Sequence, residues 1–517
     1  MNGARALVQT LVDAGVNVCF ANPGTSEMHF VVALDDVAEM RGVLALFEGV
    51  ATGAADGYAR MTGRPAAVLL HLGPGLANGL ANLHNARRAR SPVVAIVGDH
   101  ATYHKRFDAP LESDIETLAR NVSGWYRASR RSCDVAADAA DAVAAALAPP
   151  GQISTLVLPA DVSWSEGAAI ARARPPAPAL PVADAVLEAL AAVLGSGEPT
   201  VLFLGGRALR EPGLVAAARI AAATGAALIA ETFPARLERG AGLPAVDRLP
   251  YFAEQAAAKL AAYRHVILVD AAEPVSFFAY PGKPSELVPA GCAVHRLAAG
   301  ADDVTGALIA LADRLAAPAL PPLAPARRPA LPTGPLTVEA FALALGALLP
   351  DDAIVADEAQ TSGVFLPMAT AGAPRHDWLT LTGGAIGIGL PLAVGAAIAC
   401  PGRKVVCLQA DGSAMYTPQA LWTIAREHLD VTTILLSNSA YAILRLELQR
   451  TGAGAGGPKA REMLSLARPT IDFVALARSM GMSAGRATTA DELVTELRRA
   501  FAEPGPHLIE AIVPPLV

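Results

Sequence analysis

Aromatic residues make up only 5% of this 517-residue chain, although hydrophobic residues make up 53%. Alanine carries much of that apolar content, which suits extensive helix packing and large subunit interfaces better than membrane insertion. Cysteine is scarce too: Cys19, Cys133, Cys292, Cys400 and Cys407 form an odd set without a Cys-x-x-Cys pair, which argues against disulfides and a zinc site. Basic blocks are missing, and a net charge of −7 has the wrong sign for a nucleic-acid surface. The N-terminal stretch contains Arg5 and Asp13 and lacks a signal-peptide pattern, so a reducing cytoplasm is the expected compartment. No charge interrupts Trp378 to Gly402, a length that would ordinarily suggest a membrane span. Its glycines and Pro391 point instead to backbone packed against a ligand and neighbouring helices.

The length is too great for one hydrophobic core and suggests about three domains. Two segments rich in proline and alanine, Gly167 to Pro181 and Ala316 to Pro335, read as linkers. They divide the chain into units 1–166, 182–315 and 336–517, and strand signals alternating with helical ones make each an α/β domain with a doubly wound open sheet. The central unit shows strand signals at Thr200 to Leu204 and His265 to Val269. Gly73-Pro74-Gly75-Leu76-Ala77-Asn78-Gly79 follows a strand and superficially resembles a dinucleotide fingerprint, but its glycine spacing is off by one and Pro74 lies inside the expected turn. The cluster Arg87, Arg88 and Arg90 reads as a solvated helix end.

The stretch LQADGSAMYTPQALWTIAREHLDVTTILLSNSAY carries the clearest chemical signal. A nearly continuous apolar run from Lys404 to Ala410 ends at Asp411-Gly412-Ser413; a helical pattern covers Pro418 to Glu427; a second apolar run, Val431 to Leu436, ends before Asn438. Asp411 and Asn438 thus fall at the carboxyl ends of parallel strands, where open α/β sheets bind ligands. One carboxylate, one amide oxygen and a backbone carbonyl suit Mg²⁺, which completes its octahedron with phosphate oxygens and water. Gly412 and Ser413 add N–H groups and a hydroxyl for a phosphate. The same residues also read as a turn and a loop position.

A second constellation lies near the N-terminus: PGTSEMHF from Pro23, FEGVATGAADGYAR from Phe47, and LLHLGPGLANGLANLHNARRARSPVVAIVGD from Leu69. Glu48 opens a small-residue helix, where its carboxyl is either a buried group able to hydrogen-bond an aminopyrimidine nitrogen or a complement to the helix dipole. His71, at the end of the run Ala66 to Leu70, reads on its own as a capped structural residue or as an acid/base group.

Together these motifs resemble, over essentially the whole chain, the thiamine diphosphate (ThDP) enzymes of the pyruvate decarboxylase and acetolactate synthase superfamily. The Asp-Gly…Asn segment is similar to the family's metal and diphosphate motif, with Ala410 in place of its first glycine. The resemblance implies Asp411, Asn438 and the backbone oxygen of Ala440 as Mg²⁺ ligands, and Glu48 as the carboxyl that activates the aminopyrimidine. It implies a backbone acceptor at Gly384 and an aliphatic wedge at Ile386 under the cofactor, with Gln360 and Thr361 toward the diphosphate. Pro23, Asn78, Gly412, Ser413, Tyr441 and Ala442 are further implied cofactor contacts.

Within the superfamily the sequence is most similar to benzoylformate decarboxylase, then to acetolactate synthase large subunits. That similarity implies His71 as an acid/base group and Thr25 where a substrate-contacting serine stands, whereas Phe277 to Tyr280, within the segment SFFAY that starts at Ser276, lacks the histidine expected near it. The implied reaction is non-oxidative decarboxylation of a 2-oxo acid, with or without carboligation. An acetolactate-synthase-like carboligase and a non-catalytic regulatory relative are the alternatives. Members of the family place ThDP between subunits, so the resemblance implies a homo-oligomer, a dimer or a dimer of dimers. Some relatives bind FAD around the central domain, and no feature of this sequence marks that property.

Overall fold

Apolar strands alternating with small-residue helices build three open sheets, and the computed structural model describes residues 1–515 of them. The first contains β1 (Val18–Ala21), β2 (Arg41–Leu44), β3 (Ala66–Leu70), β4 (Val93–Asp99), β5 (Trp125–Ala128) and β6 (Ile153–Pro159), ordered β2-β1-β3-β4-β6-β5 and parallel throughout. The central segment contributes β7 (Thr200–Leu204), β8 (Ala227–Ala230), β9 (Leu237–Arg239), β10 (Asp247–Arg248), β11 (His265–Val269) and β12 (Ala293–Ala298). The last segment contributes β13 (Ala353–Glu358), β14 (His376–Thr380), β15 (Val405–Ala410), β16 (Val431–Ser437), β17 (Ser483–Ala487) and β18 (His507–Ile512). The central sheet runs β10-β8-β7-β11-β12, and the third runs β17-β18-β16-β15-β13-β14-β9.

Strand β9 departs from a simple three-unit plan, because Leu237, Glu238 and Arg239 pair antiparallel with Trp378, Asp377 and His376 on the edge of the third sheet. The central segment therefore covers an edge that would otherwise be open. Between Trp164 and Asp184, and between Arg314 and Val338, the chain contains no helix or named strand, as proline-rich connections should.

Two order reversals locate the ligand edges. In the first sheet the chain steps from β1 outward to β2 and then returns to place β3 on the other side of β1; in the third, β14 and β15 flank β13 on opposite sides. Crevices at the carboxyl ends of strands form at such switch points. Asn22 and His71 follow β1 and β3, while Glu358 ends β13 and Asp411 follows β15.

The first and third domains share one apolar core, made where helix Glu48–Thr62 lies on helix Gly389–Ala399. A Cβ on Gly57 would stand 2.2 Å from the Leu392 carbonyl oxygen, and one on Gly395 would stand 1.9 Å from that of Ala54, so glycine is what permits this approach. The later part of the uncharged run is spent on that contact: the helix from Gly389 is buried from its first residue to Ile398. Among the described residues no helix is long and apolar enough to cross a membrane. Arg60 fixes the same junction from its fully buried position, pairing with both oxygens of Asp56 at 2.8 and 2.6 Å and donating to the carbonyls of Thr380 and Ala235.

Two sequence expectations change here. Gly73 to Gly79 forms no turn, because these residues lie inside helix Leu72–Ala89. Arg90 is no mere solvated helix end, since its guanidinium reaches Asp270 at 2.6 Å in the central domain.

Candidate active site

Glu48 begins its helix directly after the extended Phe47, and 7% of it is exposed. Asn22 donates to Oε1 at 3.2 Å and Asn78 to Oε2 at 3.0 Å, so two amides from the β1 and β3 ends hold the carboxyl in one orientation. His71 caps the next helix from an extended backbone, and its Nδ1 lies 2.8 Å from Oε2 of Glu27. Ser26 donates to Oε1 of Glu27 at 2.5 Å and stands 3.4 Å from the same imidazole nitrogen. With Nδ1 engaged by a fully buried carboxylate, Nε2 of His71 remains for exchange with a ligand. Gly24 and Gly98 make this possible: a Cβ on the first would lie 2.3 Å from the His71 ring, and one on the second 1.6 Å from Glu27.

Beside this group is a cavity of about 320 Å³, with Thr25, Ser26, His71, His100, His104 and Trp164 in its wall. Thr25 is solvent-exposed at the start of a short 3₁₀ turn, and the neighbouring Ser26 is the hydroxyl that meets His71.

At the other switch point Asp411 opens a one-turn helix and is 3% exposed. Its Oδ1 accepts from the N–H of Gly412 at 2.8 Å, and its Oδ2 from the N–H groups of Asn438 and Ser439 at 2.9 and 2.6 Å. The two ends of the strand–helix–strand unit therefore meet, as the sequence predicted. Asn438 Oδ1 accepts from the N–H of Ala440, which shapes a tight loop with Ser439 at φ +54°. Burial pushes the Asp411 carboxyl up, against the pull of these N–H donors. Asp411 has no cationic side chain in ion-pair contact among the described residues, and no group of three His, Cys, Asp or Glu side chains there could cage a metal. A buried carboxylate with an amide oxygen beside it and no counter-charge fits a hard cation that brings its remaining oxygen ligands from phosphate and water.

Gly412 and Ser413 are buried, Tyr441 packs against Gly412, and Ala442 begins the following helix. A Cβ on Gly412 would lie 2.5 Å from the Tyr441 ring. Gly384 takes φ +76° and would touch the Phe277 ring if it carried a Cβ, while Ile386 packs on the core shared with the first domain. Phe277 itself sits among Phe233, Tyr251 and Phe278, with ring centroids 5.1 to 5.7 Å away. Gln360, at φ +52°, and Thr361 occupy a 3₁₀ turn, where Gln360 is exposed. Pro23 is half-buried ahead of Gly24, and Asn78 reaches this edge through its bond to Glu48.

The sequence reading missed Glu358. Its carboxylate accepts from the N–H groups of Gly387 and Gly389, both at 2.7 Å, and from Gln409 at 3.1 Å. Desolvation pushes its pKa up to about 7 despite those three donors. An acidic pair, Asp357 and Glu358, closing an otherwise apolar strand was the available signal. Asn22, Ser26 and Glu27 were also passed over, and of these only Glu27 gave a hint, as an acid in a glycine-initiated loop.

In the central sheet the corresponding edge is filled by the protein itself. Arg207 donates twice to Asp270, at 2.9 and 3.1 Å, and Glu231 accepts from the Gly206 N–H. Burial raises the Glu231 pKa to about 7.

Two half-sites at two switch points, one around the buried carboxyl of Glu48 and one around that of Asp411, belong to a thiamine diphosphate-dependent α/β enzyme. The chain belongs to the thiamine pyrophosphate enzymes, within the acetolactate synthase and decarboxylase superfamily: residues 1–118 match their N-terminal TPP binding domain and residues 361–511 their C-terminal TPP binding domain. It is 63% identical to a Mycobacterium tuberculosis protein named "Putative acetolactate synthase large subunit IlvX", over 100% of both chains. It is 32% identical to benzoylformate decarboxylase of Pseudomonas aeruginosa, over 96% of each. Among solved structures, the thiamine diphosphate-dependent 4-hydroxybenzoylformate decarboxylase of Rhodococcus jostii RHA1 superposes with a TM-score of 0.87 at 26% identity, covering 99% of each chain. Relatives named for an acetolactate synthase and for a decarboxylase thus align over nearly the whole chain, and the choice between the reactions turns on the site.

Proposed function

We propose that this enzyme decarboxylates a 2-oxo acid non-oxidatively to an aldehyde, using ThDP held through Mg²⁺. The observation that carries the choice of decarboxylase is His71, oriented by Glu27 and Ser26 in the wall of a cavity, since decarboxylation to an aldehyde needs a group that moves protons at the substrate carbonyl. Asp411, Asn438 and the carbonyl of Ala440 would hold the metal, and Gly412 with Ser413 the diphosphate. Bound ThDP supplies the nucleophilic carbon and the sink for the electrons released with CO₂. Glu48 would hold a proton against the aminopyrimidine ring, with Asn22 and Asn78 fixing its carboxyl. His71 moves a proton at the substrate carbonyl, Glu27 keeps its Nδ1 engaged, and Thr25 and Trp164 narrow the opening to water. Phe233, Tyr251, Phe277 and Phe278 line the approach to Gly384 and favour an apolar or aromatic acyl group.

A homo-oligomer completes this reading. Glu48 takes its hydrogen bonds wholly from the first domain and Asp411 wholly from the third, and exposed apolar side chains flank each in sequence: Leu46 ahead of Glu48, Met415 and Tyr416 after Asp411. Two copies arranged about a two-fold axis would cover both patches and join Glu48 of one to Asp411 of the other. The carboligase reading draws support from the similarity to the M. tuberculosis protein, whose name is that of an acetolactate synthase large subunit.

The test is CO₂ release by protein supplied with ThDP and Mg²⁺ across aliphatic and aromatic 2-oxo acids, with the organic products identified. Aldehyde from an aromatic acid is expected. Acetolactate from pyruvate would replace the proposal with carboligation, and equal rates on pyruvate and benzoylformate would remove the aromatic pocket from it.

A further inference from the structure

Decarboxylation to an aldehyde, R–CO–COO⁻ + H⁺ → R–CHO + CO₂, takes up one proton at the former carbonyl carbon. A second proton must reach the carbonyl oxygen and leave again. His71 has one free nitrogen, and Phe277 to Tyr280 supply no imidazole. The cavity beside His71 supplies others.

His100 is the first residue past β4, and β4 pairs with β3, so His71 and His100 emerge from adjacent strand ends. Both line the same cavity of about 320 Å³. Its backbone N–H is tied to Oδ1 of Asp99 at 2.8 Å, which sets where the side chain leaves the sheet. Nε2 of His100 is buried with no hydrogen-bond partner among the described residues. A buried polar atom left unmatched normally has a reason, and a nitrogen in a cavity wall next to an acid/base group is one that a substrate can satisfy. The ring of His104 lies 5.4 Å away, tilted by 52°, and continues to Phe107 on the exposed segment after β4. That gives the partly buried His100 ring a polar neighbour through which to recover a proton from water. Of the carboxylates nearby, Asp99 is held through both oxygens by Lys105, at 3.1 and 2.9 Å, and one oxygen of Glu112 meets the same amine at 2.7 Å. The cavity wall itself contains three imidazoles, those of His71, His100 and His104.

We infer that His100 is the second proton-transfer group of the site: as imidazolium it delivers from Nε2 the proton that replaces CO₂ on the acyl carbon, His71 serves the carbonyl oxygen, and His104 returns a proton to His100 from solvent. This rests on the decarboxylase reading, and the test separates the two.

The experiment uses full-length protein loaded with ThDP and Mg²⁺ and has two readouts. In His100→Gln, aldehyde formation should fall at least about 100-fold, the ordinary contribution of a positioned acid or base, while the dissociation constant for ThDP stays within about threefold of wild type. In wild-type protein labelled with ¹⁵N-histidine, the His100 Nε2 resonance, assigned by its loss in His100→Gln, should shift when an acylphosphonate analogue of the 2-oxo acid is added, with no turnover required. If product analysis shows ligation instead of aldehyde, an analogue-induced shift still supports His100 as the group that meets the acyl carbon's substituents. An Nε2 resonance that ignores the analogue overturns the inference whatever the product. So does aldehyde formation by His100→Gln within threefold of wild type.

Discussion

The two half-sites solve different electrostatic problems with different materials. At the β1/β3 edge, Glu48 and His71 are held by side chains: Asn22, Asn78, Glu27 and Ser26. At the β13/β15 edge, Asp411 and Glu358 are held mostly by backbone N–H groups of Gly412, Asn438, Ser439, Gly387 and Gly389. Side-chain partners from neighbouring loops and helices fix the orientation of Glu48 and His71. The backbone N–H donors of the second edge pull toward a negative charge, carboxylate or phosphate, yet burial outweighs them at Asp411 and Glu358 and raises both pKa values. On the proposed function the first region moves protons and the second holds the charged cofactor.

The sharpest way to break the comparison is to damage one half-site per copy. Glu48→Gln and Asp411→Asn should each lower turnover at least about 100-fold. Random mixing of the two chains should restore about a quarter of the wild-type activity if a two-fold assembly joins halves from different copies. No recovery on mixing would place both halves in one chain.

Glu358 offers a smaller and purely energetic test. Folded, it keeps its proton to about pH 7, whereas an exposed glutamate releases it near 4.5. The native state thus binds more protons between those values, so this group's contribution to stability is greatest below pH 4.5 and is lost as pH rises toward 7. Glu358→Gln removes that titration. The unfolding free energy of wild type minus variant should fall by about 3 kcal/mol across the window, measured by urea denaturation at several pH values. Parallel profiles would show that the carboxyl is not desolvated.

Matched glycine variants sharpen the contrast further. Gly24→Ala pushes a methyl into the His71 ring and Gly412→Ala one into the Tyr441 ring. Gly24→Ala should cut turnover by about tenfold with ThDP affinity intact, and Gly412→Ala should weaken ThDP by a similar factor, about 1.4 kcal/mol in each case. Steady-state kinetics and calorimetry with ThDP distinguish the two, and an exchange of the effects would invert the assignment of the halves.

Much of the second half-site was legible in the sequence, because its parts lie within one strand–helix–strand unit: buried strands read as apolar runs, and Asp411 and Asn438 stand at their ends. The strands Thr200 to Leu204 and His265 to Val269 were legible for the same reason. Strand β9 was not, since Leu-Glu-Arg has no pattern of its own and pairs with residues more than a hundred positions away. Arg90 and Asp270 meet across a comparable distance. Glu27 and His100 escaped because their meaning depends on which strand ends are neighbours: His71 is level with Gly98, whose missing side chain admits Glu27. Local pattern reports burial and turns, while partners brought together by topology leave no trace in it.

The most direct test of the division between the halves is a calorimetric titration of ThDP, in the presence of Mg²⁺, into Glu48→Gln and Asp411→Asn side by side. Glu48→Gln should bind ThDP within about threefold of wild type, while Asp411→Asn should bind at least about 100-fold more weakly, the loss of about 2.7 kcal/mol at a charged ligand. Equal losses in the two variants, or normal binding by Asp411→Asn, would contradict the account.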